Sequence, residues 1–392
     1  MTFDLVPEHE LRARIKVVGV GGAGGNAVNR MIEAELTGVD FISVNTDAQV
    51  LETSLASQRI QIGARTTKGL GAGADPSVGR KAIEEDRDTV AEVLRGADLV
   101  FVTAGMGGGT GTGAAPIVAE IARQQGALTV GIITKPFDFE GRKRTERASA
   151  GIEELKARTD TVICIPNQRL LSIVDRGTKL TDAFRIADDI LRQATQGISD
   201  LITVPGLINC DFADVRTVMA EMGDAIMGTG VGSGENMGAD AASQAINSPL
   251  LENICITGAR GVLVNVTGGH EMTLHDVNTA TSVVYDAAGS DANIIFGAVI
   301  DPALKDEMRV TVIATGFGKK PEYVDEWQDE DSDLFSMPKR TPMPVDIPMA
   351  EPESAQIETP ELEPEPALAT GGHNHDDDLE IPAFIRKQNG QL

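Results

Sequence analysis

The feature that most constrains the fold of this 392-residue chain is a run of seven residues, 107–113, that contains only glycine and threonine. An apolar segment, residues 97–104, precedes the run and is typical of a buried strand, and residues 114–122 follow with the pattern of a helix. Because glycine has no β-carbon, consecutive backbone N–H groups can face one anion, and the helix adds about half a positive charge at its N-terminus. The run therefore predicts a phosphate-binding loop, although glycine clusters also occur where two backbone segments pass close together.

A second glycine motif lies near the N-terminus, where Gly19, Gly21 and Gly24 follow an apolar strand. This spacing is typical of a dinucleotide-binding turn, and Asp40 or Asp47 would then bind a ribose. The chain contains no Gly-Lys-Ser or Gly-Lys-Thr, so it does not carry a P-loop. Two glycine loops indicate a nucleotide-binding parallel sheet, and the dinucleotide alternative stays open at this point.

The charge of the chain limits its partners. It has 59 acidic and 34 basic side chains and a formal net charge of −25. Such a field repels phosphate, so we expect no binding to nucleic acid, and a nucleotide must be held by local donors and a metal ion.

No apolar run reaches the length of a membrane span and the N-terminus lacks a basic start and an apolar core, so we expect a cytoplasmic protein without direct membrane insertion. Cys164, Cys210 and Cys255 match neither a disulfide framework nor a zinc site and are expected to be buried thiols.

The apolar pattern divides the body of the chain into two parts joined by a long helix. Apolar and helical segments alternate up to about residue 173, which predicts a doubly wound parallel sheet. Its strands are expected at residues 15–20, 40–44, 99–103, 128–134 and 161–165. A long helix is predicted from residue 180 to 201, and a smaller α+β domain after it. In that domain, strands are expected at residues 254–257, 261–266, 294–299 and 310–314, with a helix at 274–288.

The last part of the chain differs in composition. Residues 319–392 contain 18 acidic and 6 basic side chains and 10 of the 18 prolines, which is typical of a disordered segment. Apolar and basic residues return in its final stretch, residues 379–387. A short apolar peptide at the end of an acidic tether indicates a partner-binding motif, although a frayed end without function is the alternative.

A pair of carboxylates precedes a further helical segment. Asp211 and Asp214 are three residues apart and therefore share one face of the start of a helix, with Asn209 just before them. One interpretation is ordinary helix capping, because Asn and Asp are favoured at helix N-termini. The other is catalytic, because such a pair can polarise and orient a water for attack on a phosphate.

Taken together, these motifs resemble the FtsZ family of tubulin-related GTPases of bacterial cell division. The resemblance rests on residues 21–26, 45–49 and 107–113 and on Asn209, Asp211 and Asp214; it runs from about residue 12 to 318 and resumes at 381–384. It implies an α/β fold: a tubulin-like GTPase domain with a Rossmann-type parallel sheet, a central long helix, a smaller α+β C-terminal domain and a disordered acidic tail. The expected divisions are a flexible N-terminus (1–11), the GTP-binding domain (12–178), the central helix (179–202), the C-terminal domain with the catalytic loop (203–318), the linker (319–378) and the partner-binding peptide (379–392).

The resemblance also assigns site residues. The phosphate contacts it implies are Gly22, Ala23, Gly24, Gly25, Asn26, Gly105, Gly108, Gly109, Thr110 and Gly111, with Ala72 and Gly73 nearby. Family members commonly have glycine where Ala23 stands. Glu140 and Arg144 resemble ribose-side contacts, although their spacing also fits a helix salt bridge. Asn167 would contact the base or sugar. Phe184 would stack on guanine unless it only packs in the core, and Asp188 would accept hydrogen bonds from the guanine N1–H and 2-amino group, which favours GTP over ATP.

The function implied is a GTP- and Mg²⁺-dependent polymer. GTP is hydrolysed to GDP when the acidic loop of the adjacent subunit, Asn209, Asp211 and Asp214, completes the site, and head-to-tail filaments form the division ring at mid-cell. Membrane-tethering adaptors and assembly regulators would bind through Ile381, Pro382, Phe384, Ile385 and Arg386. Two other classes are an NAD-dependent enzyme, which leaves the second glycine loop and the acidic pair unexplained, and a scaffold that binds nucleotide without hydrolysing it.

Overall fold

The structure is a computed structural model that describes residues 13–175, 177–204, 206–208, 210–251 and 256–317. The described residues belong to one compact unit. The predicted N-terminal segment, the linker, the partner-binding peptide, Asn209 and Cys255 lie outside the described residues. None of the described helices combines the length and the apolar character needed to span a bilayer.

The described strands form one sheet. In chain order they are β1 (Ile15–Val20), β2 (Val39–Asn45), β3 (Gln58–Gln61), β4 (Leu99–Gly105), β5 (Leu128–Lys135), β6 (Thr161–Pro166), β7 (Gly223–Ser233), β8 (Gly261–Gly268), β9 (Asn293–Ile300) and β10 (Glu307–Thr315). Their spatial order is β3-β2-β1-β4-β5-β6-β7-β10-β8-β9. The pairs from β3 to β7 are parallel, β10 is antiparallel to both β7 and β8, and β9 is parallel to β8. The first six strands therefore have the order of a doubly wound nucleotide-binding fold.

Helices cover both faces of this sheet. They are α1 (Gly21–Glu33), α2 (Ala48–Glu52), α3 (Ala64–Thr67), α4 (Pro76–Glu85), α5 (Arg87–Leu94), α6 (Thr110–Gln124), α7 (Arg142–Lys156), α8 (Asn167–Leu170), α9 (Leu180–Thr203), α10 (Phe212–Met219), α11 (Met237–Ile246) and α12 (Leu274–Ala288), with short 3₁₀ turns at Asp138–Glu140 and Gly234–Asn236. Strand side chains alternate between the two faces, so Val17 packs with α1 and α9, whereas Val18 packs with α5 and α6.

The long helix α9 is the element that connects the two parts of the described chain. Its buried face, which includes Leu191 and Ile198, lies in the same core as Phe101 of β4 and Ile313 of β10. A separate cluster packs α11 and α12 against β8 and β10. The sequence expectation of a joint helix is confirmed, and the sheet continues across it through the parallel pairing of β6 with β7. The domain limits themselves stay predictions.

Most predicted strands are confirmed, and the exceptions have physical causes. Strand β7 was not predicted because it contains Gly228, Gly230 and Gly232, which are depleted in ordinary strands. A β-carbon at any of the three would collide with the backbone of α11, so the glycines let the helix lie directly on the strand. The short strand β3 was missed as well. The strand expected at 254–257 is wrong in its described part, because Ile256 and Thr257 form a bend and turn.

Both glycine loops are shorter than the sequence indicates. Helix α6 begins at Thr110, so the second half of the 107–113 run is the first turn of the helix. Helix α1 begins at Gly21 directly after β1. The sequence predicts a helix from residue 114 with Pro116 in its first turn, but because the helix begins at Thr110, Pro116 lies inside it, beyond the first turn. Each glycine motif is thus a tight strand-to-helix turn that ends in a helix N-terminus.

Candidate functional site

A polar cavity of about 240 Å³ lies at the carboxyl ends of the parallel strands. It opens where β1 and β4 are neighbours and their helices leave on different sides, which is the topological switch point of the sheet. Ligands of doubly wound folds bind at this point. The cavity is lined by Val20, Gly22, Ala23, Gly105, Met106, Gly108, Gly109, Thr110, Gly111, Thr134, Pro136, Glu140, Arg144, Asn167, Phe184, Ala187 and Asp188.

The turn between β1 and α1 forms one wall. Gly21 has a φ of +75°, which a residue with a β-carbon rarely adopts, and a β-carbon there would lie 2.9 Å from the backbone nitrogen of Gly111. Glycine is therefore required where the two helix starts meet. No side chain caps the N-terminus of α1, so its first N–H groups remain available to an anion.

The turn between β4 and α6 forms the facing wall. Gly107 has a φ of +100°, and its N–H donates to the hydroxyl of Thr112 at 2.8 Å, which fixes the turn. Helix α6 also begins without a side-chain cap. Two uncapped helix N-termini thus flank one cavity, and their N–H groups and partial positive charge fit a chain of phosphates.

Charged and amide side chains form the rim. Glu140 and Arg144 make a salt bridge with a distance of 3.0 Å between Oε2 and Nε, and Glu140 also accepts a hydrogen bond from the N–H of Phe137. The ordinary i,i+4 ion pair is therefore present, and it lies at the cavity. Asn167 is buried and its side-chain oxygen has no hydrogen-bond partner among the described residues. Because an unpaired buried acceptor costs free energy, this oxygen indicates a ligand that donates a hydrogen bond.

Helix α9 supplies an aromatic ring and a carboxylate. Phe184 is 38% exposed and contacts Phe137 edge to face, with ring centroids 5.5 Å apart, so part of its surface is free to stack on a ligand. Asp188 lies one turn further along the same face. Burial raises the pKa of Asp188 to about 6, and the positive charge of Arg30 opposes that rise. A half-buried carboxylate one helical turn from an aromatic ring suits a planar base with adjacent N–H donors.

Three predicted phosphate contacts lie outside the cavity lining. Gly24 packs against β4, where a β-carbon would collide with the carbonyl oxygen of Thr103, and Gly25 is buried near Ser43. Asn26 is exposed on α1. The structure supports a packing role for Gly24, whereas ligand contact by these three residues stays a prediction.

Five lining residues were not predicted: Val20, Met106, Thr134, Pro136 and Ala187. Most of them lie at or just after the carboxyl end of a strand. Ligands of doubly wound folds bind at these ends, so the predicted strand ends could have indicated these residues.

The ribose-binding acids of the dinucleotide alternative do not reach the cavity. Asp47 caps α2, because its carboxylate accepts hydrogen bonds from the N–H groups of Gln49 at 3.0 Å and Val50 at 3.3 Å. Asp40 is exposed on β2. Neither lines the cavity. The structure therefore gives no support to dinucleotide binding.

The acidic pair caps α10. Asp211 accepts a hydrogen bond from the N–H of Asp214 at 2.8 Å, and Asp214 accepts one from the N–H of Asp211 at 3.4 Å, which is a capping box. Both residues are exposed. The capping interpretation is confirmed as local structure.

The acidic pair also lies far from the cavity of its own chain. Leu201, Ile208 and Cys210 all lie close to the position that a β-carbon on Gly297 would occupy, so the start of α10 lies beside the far end of α9. At about 1.5 Å per residue, Leu201 is about 20 Å from Asp188 along the helix axis. The structure does not bring Asp211 or Asp214 to the cavity, and Asn209 lies outside the described residues.

A larger cleft of about 490 Å³ lies between α9 and strands β8 to β10. Its walls include Asp200, Asn265 and Arg309, and burial raises the pKa of Asp200 to about 6. The residues that line this cleft include no glycine turn with free backbone N–H groups like the turns that follow β1 and β4. The smaller cavity is therefore the better candidate for a phosphate-bearing ligand, despite its size.

Comparisons with known proteins give matches over most of the chain. A model of the GTPase domain of the Tubulin/FtsZ family matches residues 14–175, and a model of the C-terminal domain of the FtsZ family matches residues 223–318. A point mutant of FtsZ from M. jannaschii is 43% identical, with coverage of 79% of this chain and 92% of that one and a TM-score of 0.76. An empty FtsZ dimer from the same organism is 42% identical over 80% and 93%, with a TM-score of 0.76. CetZ2 from Haloferax volcanii, solved as a GTPγS-bound protofilament, is 22% identical over 77% and 92% with a TM-score of 0.66, a likeness in fold alone.

Proposed function

The chain belongs to the FtsZ family and is a GTPase of the tubulin-like class, and on that premise we propose that it polymerises head to tail, with each GTP hydrolysed between two subunits. One observation carries the proposal. The cavity proposed for GTP and the exposed acidic pair proposed for water activation lie at opposite ends of α9 in one chain. A second copy placed end to end would bring them together.

Exposed apolar side chains at the two ends support this arrangement. Near the cavity, Leu70 is 82% and Phe139 60% exposed. At the acidic end, Leu207 is 70% exposed, and Ile208 beside it is also exposed. Two different apolar surfaces on one molecule suit a heterologous contact, which repeats without closing and generates a filament. The FtsZ relative solved as a dimer also supports self-association.

In the proposed site, the groups act in sequence along the nucleotide. Phe184 stacks on guanine and Asp188 accepts from its N1–H and 2-amino group, while Asn167 accepts a further hydrogen bond. The N–H groups at the starts of α1 and α6 hold the phosphates. Asp211 and Asp214 of the next subunit orient and polarise the attacking water, and such groups contribute about 100- to 10,000-fold in rate.

We further propose that Mg²⁺ accompanies GTP. Among the described residues, no three His, Cys, Asp or Glu side chains form a group able to hold a metal ion by themselves. Mg²⁺ commonly takes most of its ligands from substrate phosphates and water. A site without a cluster of protein ligands is therefore compatible with an ion that arrives bound to GTP. The ion would offset phosphate charge in a strongly acidic protein.

The experiment that tests the proposal is phosphate release from GTP with Mg²⁺ across a series of protein concentrations, with light scattering recorded in parallel. We expect specific activity close to zero below a threshold concentration and a rise that follows the scattering. Activity proportional to protein without assembly would instead identify a self-sufficient monomeric enzyme.

We propose, from the family, that these filaments form the division ring at mid-cell in the cytoplasm and that residues 379–392 recruit adaptors and regulators.

Deletion of residues 379–392 is expected to leave the assembly threshold and GTP turnover unchanged, because the sequence places this peptide beyond an acidic tether. The measurement is pelleting with GTP, beside capture of adaptor protein by the full chain and the truncated one. A truncated chain that fails to assemble would contradict the recruitment role.

Binding of the base is expected to weaken in acid. Only ionised Asp188 accepts both donors of guanine, and its pKa is about 6. Affinity for guanosine should therefore fall as pH drops below about 6, approaching tenfold per unit, and stay level above about pH 7. Guanosine is the probe because it lacks the phosphate whose own pKa lies near 6. Calorimetric titration from pH 5 to 8 provides the measurement, and Asp188→Asn should remove the dependence. An unchanged pH profile in that variant would assign the effect to another group.

A further inference from the structure

A pair of threonine hydroxyls links the cavity to the protein interior. Thr46 follows β2, and Thr110 is the first residue of α6; their Oγ1 atoms are 2.6 Å apart. Thr46 is completely buried and is not part of the cavity lining, whereas Thr110 is partly exposed and lines the cavity. The pair therefore connects a ligand-facing hydroxyl to one that no ligand can reach.

Burial determines which hydroxyl donates. Each threonine has one hydroxyl hydrogen, and only one of the two lies between the oxygen atoms. Within the described residues, Thr110 is the only hydrogen-bond partner of the Thr46 side chain. If Thr110 donated, the hydrogen of Thr46 would be left unpaired in the interior, which costs free energy. Thr46 is accordingly the donor, and the hydrogen of Thr110 is directed elsewhere, with the cavity as its open side.

The backbone around Thr46 keeps this donor in place. Its carbonyl oxygen accepts a hydrogen bond from the N–H of Gly71 at 3.3 Å and shares the single hydroxyl hydrogen of Thr67, whose oxygen lies 3.2 Å away. The Thr67 hydroxyl also lies 3.0 Å from the carbonyl oxygen of Gly63, so residues 63–71 close around Thr46. A donor fixed on both its backbone and its side chain can orient Thr110 before a ligand arrives.

We infer that Thr46 is a positioning residue: by donating to Thr110 it aims the Thr110 hydroxyl hydrogen at the phosphates of the bound guanine nucleotide. This inference rests on the proposed placement of the phosphates at the start of α6. Thr46 itself does not touch the nucleotide, so its whole effect on binding passes through Thr110.

The test is a double-mutant cycle on the full chain, with GTP and guanosine as probes. Thr46→Val keeps the shape and removes the donor, Thr46→Ser keeps the donor, and Thr110→Val removes the acceptor. We expect Thr46→Val to weaken GTP binding about fivefold, the size of one neutral hydrogen bond, and to leave guanosine binding unchanged. Thr46→Ser should bind GTP like the unaltered chain. Thr46→Val should have no effect when Thr110 is already Val.

Three results would overturn the inference. Equal losses for GTP and guanosine would mean that Thr46→Val deforms the site as a whole. An undiminished effect of Thr46→Val in the Thr110→Val background would mean that Thr46 acts without Thr110. Normal GTP binding by Thr46→Val would refute the positioning role and leave the proposed site intact. A different outcome, an unaltered chain that binds no GTP, would refute the proposed site itself. If Thr46→Val does not fold, as judged by its thermal transition, Thr46→Ala takes its place in the cycle.

Discussion

Replacement of Asp211 or Asp214 by Asn is expected to lower GTP turnover about 100- to 10,000-fold and to leave GTP affinity unchanged. The loss arises because the carboxylate no longer orients and polarises the attacking water of the neighbouring subunit. Asn is about as good an N-cap as Asp at position 211, and at position 214 its amide oxygen accepts the same hydrogen bond, so α10 keeps its capping box and each change isolates the charge. Steady-state phosphate release above the assembly threshold gives the rate, and titration with fluorescent GTP gives the affinity.

A matched control is available at the start of α12. Asp276 occupies the same position in a capping box as Asp214, with hydrogen bonds to the N–H and hydroxyl of Thr273. Asp276→Asn should therefore alter stability through the cap but not turnover per assembled subunit. If the Asp211 and Asp214 variants lost GTP binding, or if the Asp276 variant lost as much turnover as they do, the acidic pair would have a folding role only.

Asp188→Ala is expected to reduce GTP affinity at pH 7 by about 100-fold or more and to remove most of the preference for GTP over ATP. Two hydrogen bonds to a charged group contribute about 1.5 to 3 kcal/mol each, and both disappear in this variant. Adenine has an acceptor at N1 and no 2-amino group, so ATP gains nothing from the carboxylate and should lose little. Competition of GTP and ATP against a fluorescent guanine nucleotide measures both effects.

The neighbouring Asp189 provides the control for Asp188. It lies on the same helix but does not line the cavity. Its carboxylate accepts hydrogen bonds from the Arg192 side chain at 2.6 Å and from the Gln193 side chain at 2.7 Å. Asp189→Ala removes the same charge from α9 and should leave nucleotide preference unchanged. Equal losses of GTP and ATP affinity in Asp188→Ala would argue against recognition of the base by this carboxylate.

The parts of the fold that depend on local pattern were predictable from the sequence. Buried strands such as β1 and β4 are continuous apolar runs, and α9 has a regular apolar face. Strand β7 was not predictable in this way because its glycines are placed for contact with α11, a partner that lies elsewhere in the chain. The helix starts were misjudged for a similar reason, since Gly21 and Thr110 begin helices where propensity alone favours loops.

The candidate site was predictable to the extent that its residues belong to recognisable motifs. The glycine turns, Glu140, Arg144, Asn167, Phe184 and Asp188 do meet at one cavity. Thr134 and Ala187 also line it, but an isolated threonine or alanine gives no signal in a sequence. The acidic pair is the opposite case: its capping geometry is visible from the sequence, whereas its separation from the cavity becomes apparent only in the fold.

The most direct test of hydrolysis between subunits is a mixing experiment with two impaired variants, at a GTP concentration too low for Asp188→Ala to bind it. Asp211→Asn keeps the cavity and lacks the carboxylate, whereas Asp188→Ala keeps the carboxylate and binds GTP poorly. In an equimolar filament, about a quarter of the head-to-tail contacts should pair an intact cavity with an intact acidic loop. We predict that the mixture, once co-pelleting shows joint filaments, hydrolyses GTP far faster than either variant alone. Joint filaments with no more activity than the sum of the two variants would contradict a shared site.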